Sequence, residues 1–313
     1  MRWKVLVTAP YIQPVIDRFR DTFFENQIDV IVPPVNERLV ETELLKLVED
    51  IDGIICGDDQ FTENVLKAAR KLKVISKWGT GIDSIDREVA KKLGILVYNT
   101  PNAFTDPVAD TVLGYILSFS RQIPWVDKEM RSGKWKKRTC TALRNQILGV
   151  VGVGNIGKAV IRRASSFGMR VLGSDIREIS RAFLNDTGTT MLELDELLGE
   201  SDFISINCDL NPTSYHIIGK RELSLMKPTA YLVNTARGPI VDEEALIRAL
   251  ENGVIAGAAL DVFEAEPLPK DSFLRQFENC LLSPHNANSS PDAWERVHKN
   301  TIQNLLDGLR SKG

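Results

Sequence analysis

His285, Arg237 and the acids Asp261, Glu264 and Glu266 are residues of this sequence whose types and settings could carry out a reaction. An imidazole can pass a proton to or from an oxygen, and a guanidinium can hold a carboxylate and polarise a carbonyl beside it. His285 follows Leu281-Leu282-Ser283-Pro284, just past the carboxyl end of an expected strand, where open α/β sheets bind ligands. Arg237 sits past another such run in Tyr231-Leu232-Val233-Asn234-Thr235-Ala236-Arg237-Gly238, and the acids follow Ala258-Ala259-Leu260. Taken singly, these are a turn residue and solvated acids. A cation, an acid and a histidine at three strand ends together point to catalysis. The other two histidines offer less. His298 falls on the last expected helix and reads as a surface or packing residue. His216, in Ser214-Tyr215-His216-Ile217-Ile218, has no partner in view.

The chemistry is narrowed by a glycine run. Residues 149–157 read Gly-Val-Val-Gly-Val-Gly-Asn-Ile-Gly after the buried-strand run Ile147 to Val151. Gly152 permits a tight turn, Gly154 lets backbone approach a pyrophosphate, and Gly157 lets the following helix pack on the strand. That helix carries Ala159, Val160, Ala164 and Phe167 on one face and presents free N–H groups and a positive dipole end to phosphates. Asp175 closes a second strand, Val171 to Asp175. Its carboxylate can accept both ribose hydroxyls of NAD and would repel a 2′-phosphate, so NAD is expected over NADP, although Arg177 lies close by. With this cofactor, the histidine and the arginine supply what hydride transfer to a carbonyl further needs.

These groups must be positioned by more than one core. A chain of 313 residues calls for two domains, and 43% hydrophobic with 26% charged residues is an ordinary globular composition. The net charge of −3 argues against a nucleic-acid or anionic-membrane partner. No apolar stretch reaches membrane-spanning length, and the start reads as a strand, Trp3 to Thr8, not a signal peptide. Cys56, Cys140, Cys208 and Cys280 lack any CxxC spacing, so no metal is expected and a reducing, cytoplasmic setting is.

The glycine run sits mid-chain. Before it, short β-rich runs (Lys4–Val7, Val30–Val32, Gly53–Cys56, Val74–Ser76, Leu96–Tyr98) alternate with helical stretches such as Thr42–Val48 and Thr62–Ala69. Asn99-Thr100-Pro101-Asn102 breaks the chain, and Asp106-Pro107 reads as an N-cap with proline at the first helical position. After it, strands are expected at Phe203–Ile206, Ala230–Asn234, Ile255–Leu260 and Cys280–Leu282. A last helix from Ser290-Pro291 carries Trp294, Val297, Thr301 and Leu305 on one face. The fold expected is α/β, with two parallel-sheet domains separated by a cleft. Residues 1–101 and 289–313 form a substrate domain, into which a nucleotide domain of 102–288 is inserted. A substrate would meet the cofactor in that cleft.

The sequence resembles the D-isomer-specific 2-hydroxyacid dehydrogenases, the family of phosphoglycerate dehydrogenase, glyoxylate/hydroxypyruvate reductase and D-lactate dehydrogenase. The resemblance covers essentially the whole chain. It rests on Gly79-Thr80-Gly81-Ile82-Asp83-Ser84-Ile85-Asp86, Asn99-Thr100-Pro101, Val108-Ala109-Asp110, the glycine run, Asn234-Thr235-Ala236-Arg237-Gly238, Asp261-Val262-Phe263, Glu266-Pro267 and Ser283-Pro284-His285. It implies two Rossmann/flavodoxin-like domains and NAD as cofactor. It implies that Arg237 clamps the substrate carboxylate, that His285 is the general acid/base, and that Glu266 holds the imidazole. Glu264 is the rival acid, but the adjoining Pro267 marks Glu266 as the family position. Thr80, Gly152, Gly154, Asn155, Ile156, Gly157, Asp175, Cys208, Thr235, Ala236 and Asp261 correspond to cofactor contacts. Lys77, Trp78, Gly79 and Arg237 correspond to substrate contacts. The segment from Pro124 to Arg138 wraps a partner subunit in the family, which implies a homodimer. Some relatives are non-catalytic, NAD(H)-sensing corepressors, the alternative to a dehydrogenase. Relatives acting on formate carry glutamine at the acid position, so Glu266 argues against that chemistry.

Three places depart from the family pattern. Relatives acting on 3-phosphoglycerate often carry an arginine after the third strand, where this chain reads Ile54-Ile55-Cys56-Gly57-Asp58-Asp59; Asp58 and Asp59 either would repel a phosphate or simply face water, and Lys77 with the basic run Lys134, Lys136, Lys137 and Arg138, the latter from a partner subunit, could compensate in part. Asn207-Cys208-Asp209 stands where His-x-Pro is common, and Asn286 and Asn288 stand where small apolar residues or glycine are usual. No regulatory domain of the kind long phosphoglycerate dehydrogenases carry is expected after Gly313.

Overall fold

In the computed structural model, which describes residues 2–312, continuous apolar runs form the interior strands, as parallel strands covered on both faces require. Two compact units divide the chain: one takes it up to Phe104 and again from Ser290, the other takes Thr105–Ser289.

The first unit is built on a five-stranded sheet of β1 (Trp3–Val7), β2 (Ile28–Ile31), β3 (Gly53–Cys56), β4 (Val74–Lys77) and β5 (Leu96–Tyr98). Its order is β2-β1-β3-β4-β5 and its pairings are all parallel. Side-chain caps start its helices where the chain turns back: Thr62 accepts from the Val65 N–H and Asp86 from the Val89 N–H. The last helix, Pro291–Arg310, starts with Ser290 accepting from the Ala293 N–H and belongs to this unit. It lies so close on β4 that a Cβ added to Gly308 would sit 2.4 Å from Val74 Cγ2. Ser76 Oγ donates to Thr301 O across the same contact.

The second unit holds a seven-stranded, all-parallel sheet: β6 (Ile147–Val151), β7 (Arg170–Ser174), β8 (Thr190–Met191), β9 (Phe203–Ile206), β10 (Tyr231–Asn234), β11 (Gly257–Leu260) and β12 (Cys280–Leu282). The order β12-β11-β10-β9-β6-β7-β8 reverses its winding between β6 and β9. On one face the helix Thr105–Arg121 stacks Phe119 on Tyr231 of β10 with ring centroids 4.3 Å apart. It also meets the helix Asn155–Ser166, where Arg163 bonds both Asp106 and Asp110. The helix begins at Thr105, so Asp106 and Pro107 lie within its first turn and Asp106 is not its cap. The expected helix Thr42–Val48 is shorter, Glu41–Leu44, and passes into turns. Both units are α/β, and no helix among the described residues is long and apolar enough to cross a membrane.

Candidate active site

The reversal between β6 and β9 is where a doubly wound sheet leaves a crevice at its strand ends, and the glycine run occupies it. Gly152 takes φ +90°, and a Cβ there would lie 2.5 Å from Cys208 N, so the turn after β6 passes hard against the chain leaving β9. A Cβ on Gly157 would fall 2.1 Å from Gly152 O. Gly154 is different: its nearest obstacle is Arg177 Nη2 at 3.5 Å, and it opens the helix Asn155–Ser166 with no side chain capping it. The first turn of that helix, led by Asn155 and Ile156, thus starts beside two tight turns and without a side-chain cap, the setting in which helix N–H groups bind phosphates.

Asp175, just past β7, borders the same turn. Its Oδ2 accepts the Val153 N–H at 2.7 Å, and its Oδ1 accepts the Arg177 N–H at 2.8 Å and Arg177 Nε at 3.3 Å. Burial alone would raise its pKa. The hydrogen bonds from Arg177 and Val153, with the Arg177 charge, outweigh that and hold the carboxyl below its ordinary range. Burial pushes the Cys208 thiol up to about 11, so this side chain stays neutral.

Two polar atoms at neighbouring strand ends are buried without a hydrogen-bond partner: Thr235 Oγ1 after β10 and Asn207 Oδ1 after β9. Orphaned buried acceptors of this kind ask for a ligand. Together with the glycine cradle and Asp175 they fit a dinucleotide. Asn207 carries no role by sequence pattern alone, since its neighbours depart from the family motif.

The turn that presents Arg237 is braced by Asn234, 1% exposed, whose side chain accepts the Ala236 N–H at 3.0 Å and donates to Arg237 O at 2.9 Å. A Cβ on Gly238 would lie 2.0 Å from Phe263 C and O, so the arginine-bearing segment seats directly on the chain leaving β11.

His285 adopts φ +49°, a left-handed conformation uncommon for a side chain with Cβ. The cost is met by its surroundings. His285 N donates to Asp261 O at 2.8 Å, and the Asp261 carboxylate accepts the next two amides, Asn286 N at 2.8 Å and Ala287 N at 2.9 Å. Asp261, 1% exposed, therefore clamps the histidine loop with both oxygens. His285 Nδ1 lies 3.0 Å from Glu266 Oε2, whereas Glu264 Oε1 sits 2.8 Å from His216 Nε2. His216 thus has a partner that its sequence surroundings did not show. His216, Asp242 and Glu264 each bring one ligand atom within 4.8 Å of the others, but two of these groups, Glu264 and His216, already satisfy each other.

Lys77, Trp78, Gly79 and Thr80 lie in the first unit, at and beyond the carboxyl end of β4. Lys77 Nζ pairs with Asp58 Oδ1 at 3.0 Å. Thr80 Oγ1 donates to Thr100 O at 3.0 Å, and Thr100 N to Gly79 O at 2.8 Å, which ties the glycine loop to Asn99-Thr100. Asp59 is not free to repel an anion. It is fully buried and accepts from Thr8 Oγ1 at 2.6 Å, Leu39 N at 2.7 Å and Gly57 N at 3.0 Å. Of the two acids after β3, Asp58 is the more exposed, its side chain at 33%. His298, read as a surface or packing residue, is 4% exposed and accepts from Trp78 Nε1 through Nδ1 at 2.9 Å.

Comparison with known proteins bears on both units. A glyoxylate reductase of Thermofilum pendens is 40% identical over 324 aligned positions, covering 99% of this chain and 93% of that one. A D-3-phosphoglycerate dehydrogenase of Methanocaldococcus jannaschii is 36% identical, and there the match covers 99% of this chain but 58% of the longer protein. A D-lactate dehydrogenase from Aquifex aeolicus, solved with NAD and lactic acid, superposes with a TM-score of 0.87 at 28% identity, covering 96% of this chain and 93% of that one. The family model described as the NAD binding domain of D-isomer specific 2-hydroxyacid dehydrogenases matches residues 113–287, and the chain belongs to that family of NAD-binding oxidoreductases.

Proposed function

We propose that this chain interconverts a small D-2-hydroxy acid and its 2-oxo acid. The hydrogen-bonded pair of Glu266 and His285 is the observation that carries the reading, because it supplies a proton relay beside a nucleotide cradle. NAD, when bound, supplies or takes the hydride at its nicotinamide ring. The helix start at Asn155 and Ile156, the turns at Gly152, Gly154 and Gly157, and Asp175 would hold it. Thr235, Ala236, Cys208 and Thr80 are assigned to its remaining contacts.

Arg237 binds the substrate carboxylate with two parallel N–H donors and polarises the neighbouring carbonyl. His285 gives a proton from Nε2 to the carbonyl oxygen in reduction and recovers it in oxidation. Glu266 takes the Nδ1 hydrogen bond, so the ring keeps one orientation, and its charge balances an imidazolium. Asp261 acts through the backbone, holding the histidine loop in its strained turn. Lys77, Trp78 and Gly79 are assigned to the substrate.

Two further readings accompany this one. Four free thiols suit a reducing compartment such as the cytoplasm. Trp135 at 87% exposed and Met130 at 46% lie on the segment that a partner subunit would cover, and Ile123 at 55% lies beside it, which supports a homodimer. Light scattering at micromolar concentration checks the second.

The decisive experiment is a panel of 2-oxo acids with NADH, followed at the nicotinamide absorbance. Turnover of at least one, lost in His285→Gln, is expected. Tight NADH binding with no turnover of any would replace this function with that of an NAD(H)-sensing binding protein.

A further inference from the structure

The proposed substrate has a second end, the substituent on its reacting carbon, and a selector for that end presupposes the 2-oxo acid chemistry already proposed. The five-stranded sheet reverses its winding between β1 and β3, so the carboxyl ends of these strands and of β4 form its ligand-binding edge. Tyr11 follows β1, Asp58 follows β3, and Lys77 and Trp78 end and follow β4. This edge offers a cation that is already matched. The Lys77 side chain is 4% exposed, its Nζ pairs with Asp58 Oδ1 at 3.0 Å, and it donates to Trp78 O at 3.3 Å. Nζ also lies against the glycine loop, 3.8 Å from where a Cβ on Gly79 would be.

Tyr11 donates to the Glu37 carboxylate at 3.3 Å, which brings a second acid towards the edge. The Gly57 N–H, a donor that a phosphate could use, points to Asp59 Oδ2. The indole N–H of Trp78 is taken by His298. The walls are aromatic: the Trp78 ring lies 5.3 Å from Tyr11, and 5.8 Å from Phe104 and from Trp294. A dianionic phosphate placed here would lose its hydration and meet Lys77 together with the carboxylate bonded to it. Repulsion from Asp58, whose side chain is 33% exposed, then opposes what Lys77 gives. A short neutral or hydroxylated substituent suffers none of this.

We infer that this edge restricts the enzyme to 2-oxo acids with a small uncharged substituent and rejects those ending in phosphate, the Asp58–Lys77 pair being the selector. The pair works by negative charge held beside the cation, so its removal should admit the phosphorylated acid.

The test compares initial rates with NADH on glyoxylate, hydroxypyruvate and 3-phosphohydroxypyruvate for the wild type, Asp58→Asn and Asp58→Glu. In the wild type kcat/KM for the phosphorylated acid is expected at least about a hundredfold below that for hydroxypyruvate. Asp58→Asn should narrow that gap at least about tenfold, chiefly through KM, whereas Asp58→Glu, which keeps the charge, should leave it within about threefold. A wild type that prefers the phosphorylated acid, or a folded Asp58→Asn with an unmoved ratio, overturns the inference. If Asp58→Asn does not fold, the wild-type ratio decides. If none of the three acids turns over, the proposed reaction fails instead, and the charge rule is read from binding. Thermal stabilisation of the NADH-loaded protein should then be larger with D-glycerate than with 3-phosphoglycerate, and the reverse order sinks it.

Discussion

Glu266 accepts the Phe263 N–H at 3.0 Å through Oε1 and holds His285 Nδ1 at 3.0 Å through Oε2. One oxygen anchors the carboxylate to the backbone of its own loop, and the other grips the imidazole, so the ring is aimed by a group that cannot itself swing. The same loop places Glu264 on His216, away from His285. Two acids separated by one residue thus have separate partners, set by which side of the turn each leaves.

Removing either member of the pair should separate proton transfer from cofactor binding. His285→Gln is expected to lower kcat by about 10²–10⁴, the range of a positioned general acid, with the Kd for NADH within a few-fold of wild type. Glu266→Gln keeps a hydrogen-bond acceptor for Nδ1 but loses the charge, so a smaller loss, about 10–10² in kcat, is expected. Steady-state rates together with NADH titration by fluorescence check both. Near-normal turnover in His285→Gln would remove the histidine from the mechanism.

The glycine cradle predicts a coupled loss of stability and affinity. In Gly157→Ala the new methyl would lie 2.1 Å from Gly152 O and 3.1 Å from Gly152 C, and neither backbone atom can move without opening the turn. Overpacking of this kind costs about 1–3 kcal/mol or more. The melting temperature should drop by several degrees, and the Kd for NAD should rise at least about tenfold, since displacing the turn also displaces the helix start. Calorimetry of the variant settles both. A native melting temperature with native NAD affinity would show that the cradle has room that the geometry denies.

Asp175 sets the nucleotide. Its two oxygens hold the Val153 and Arg177 amides and retain lone pairs for ribose hydroxyls. Asp175→Ser removes the charge that repels a 2′-phosphate and releases the Arg177 side chain, which now bonds Asp175. The ratio of kcat/KM for NADH over NADPH should fall at least about tenfold, with NADH weakened in absolute terms. A variant that loses both nucleotides equally would reduce Asp175 to a structural brace of the turn.

How far the sequence discloses this arrangement depends on the range of the forces involved. Gly53–Cys56, Ile147–Val151, Phe203–Ile206 and Cys280–Leu282 are strands over the residues that their largely apolar runs mark, because strands of a parallel sheet with both faces covered are near-continuously apolar. Two-residue β8 (Thr190–Met191) and short helices such as Arg181–Thr187 and Lys220–Leu225 carry too few turns for periodicity to announce them. The end of the helix at Leu44 is equally hidden, as the apolar residues after it continue the helical spacing. Within the site, residue types at strand ends are legible. Pairings are not: the Asp58–Lys77 bond, the burial of Asp59 beneath Thr8, and the grip of Asp261 on the two amides after His285 all join residues brought together by the sheets.

His298 makes stability depend on pH. Its Nδ1 accepts the Trp78 Nε1 proton at 2.9 Å, so that nitrogen cannot carry a proton of its own without losing the bond. Burial lowers its pKa from 6.5; Glu295 opposes this and Arg18 reinforces it. The unfolded chain therefore takes up a proton at this residue at a pH where the folded chain does not. Stability from this group is fully present above the unfolded value of 6.5 and is lost as pH falls through the window towards the lower folded pKa. The melting temperature of the wild type should decline between about pH 7 and about pH 5.5. His298→Asn can still accept from the indole through its amide oxygen but does not titrate, so its melting temperature, though lower at neutral pH, should fall less over the same range. Parallel pH dependences in the two proteins would mean that His298 takes up its proton as readily folded as unfolded, and the bond from Trp78 would then carry no linkage.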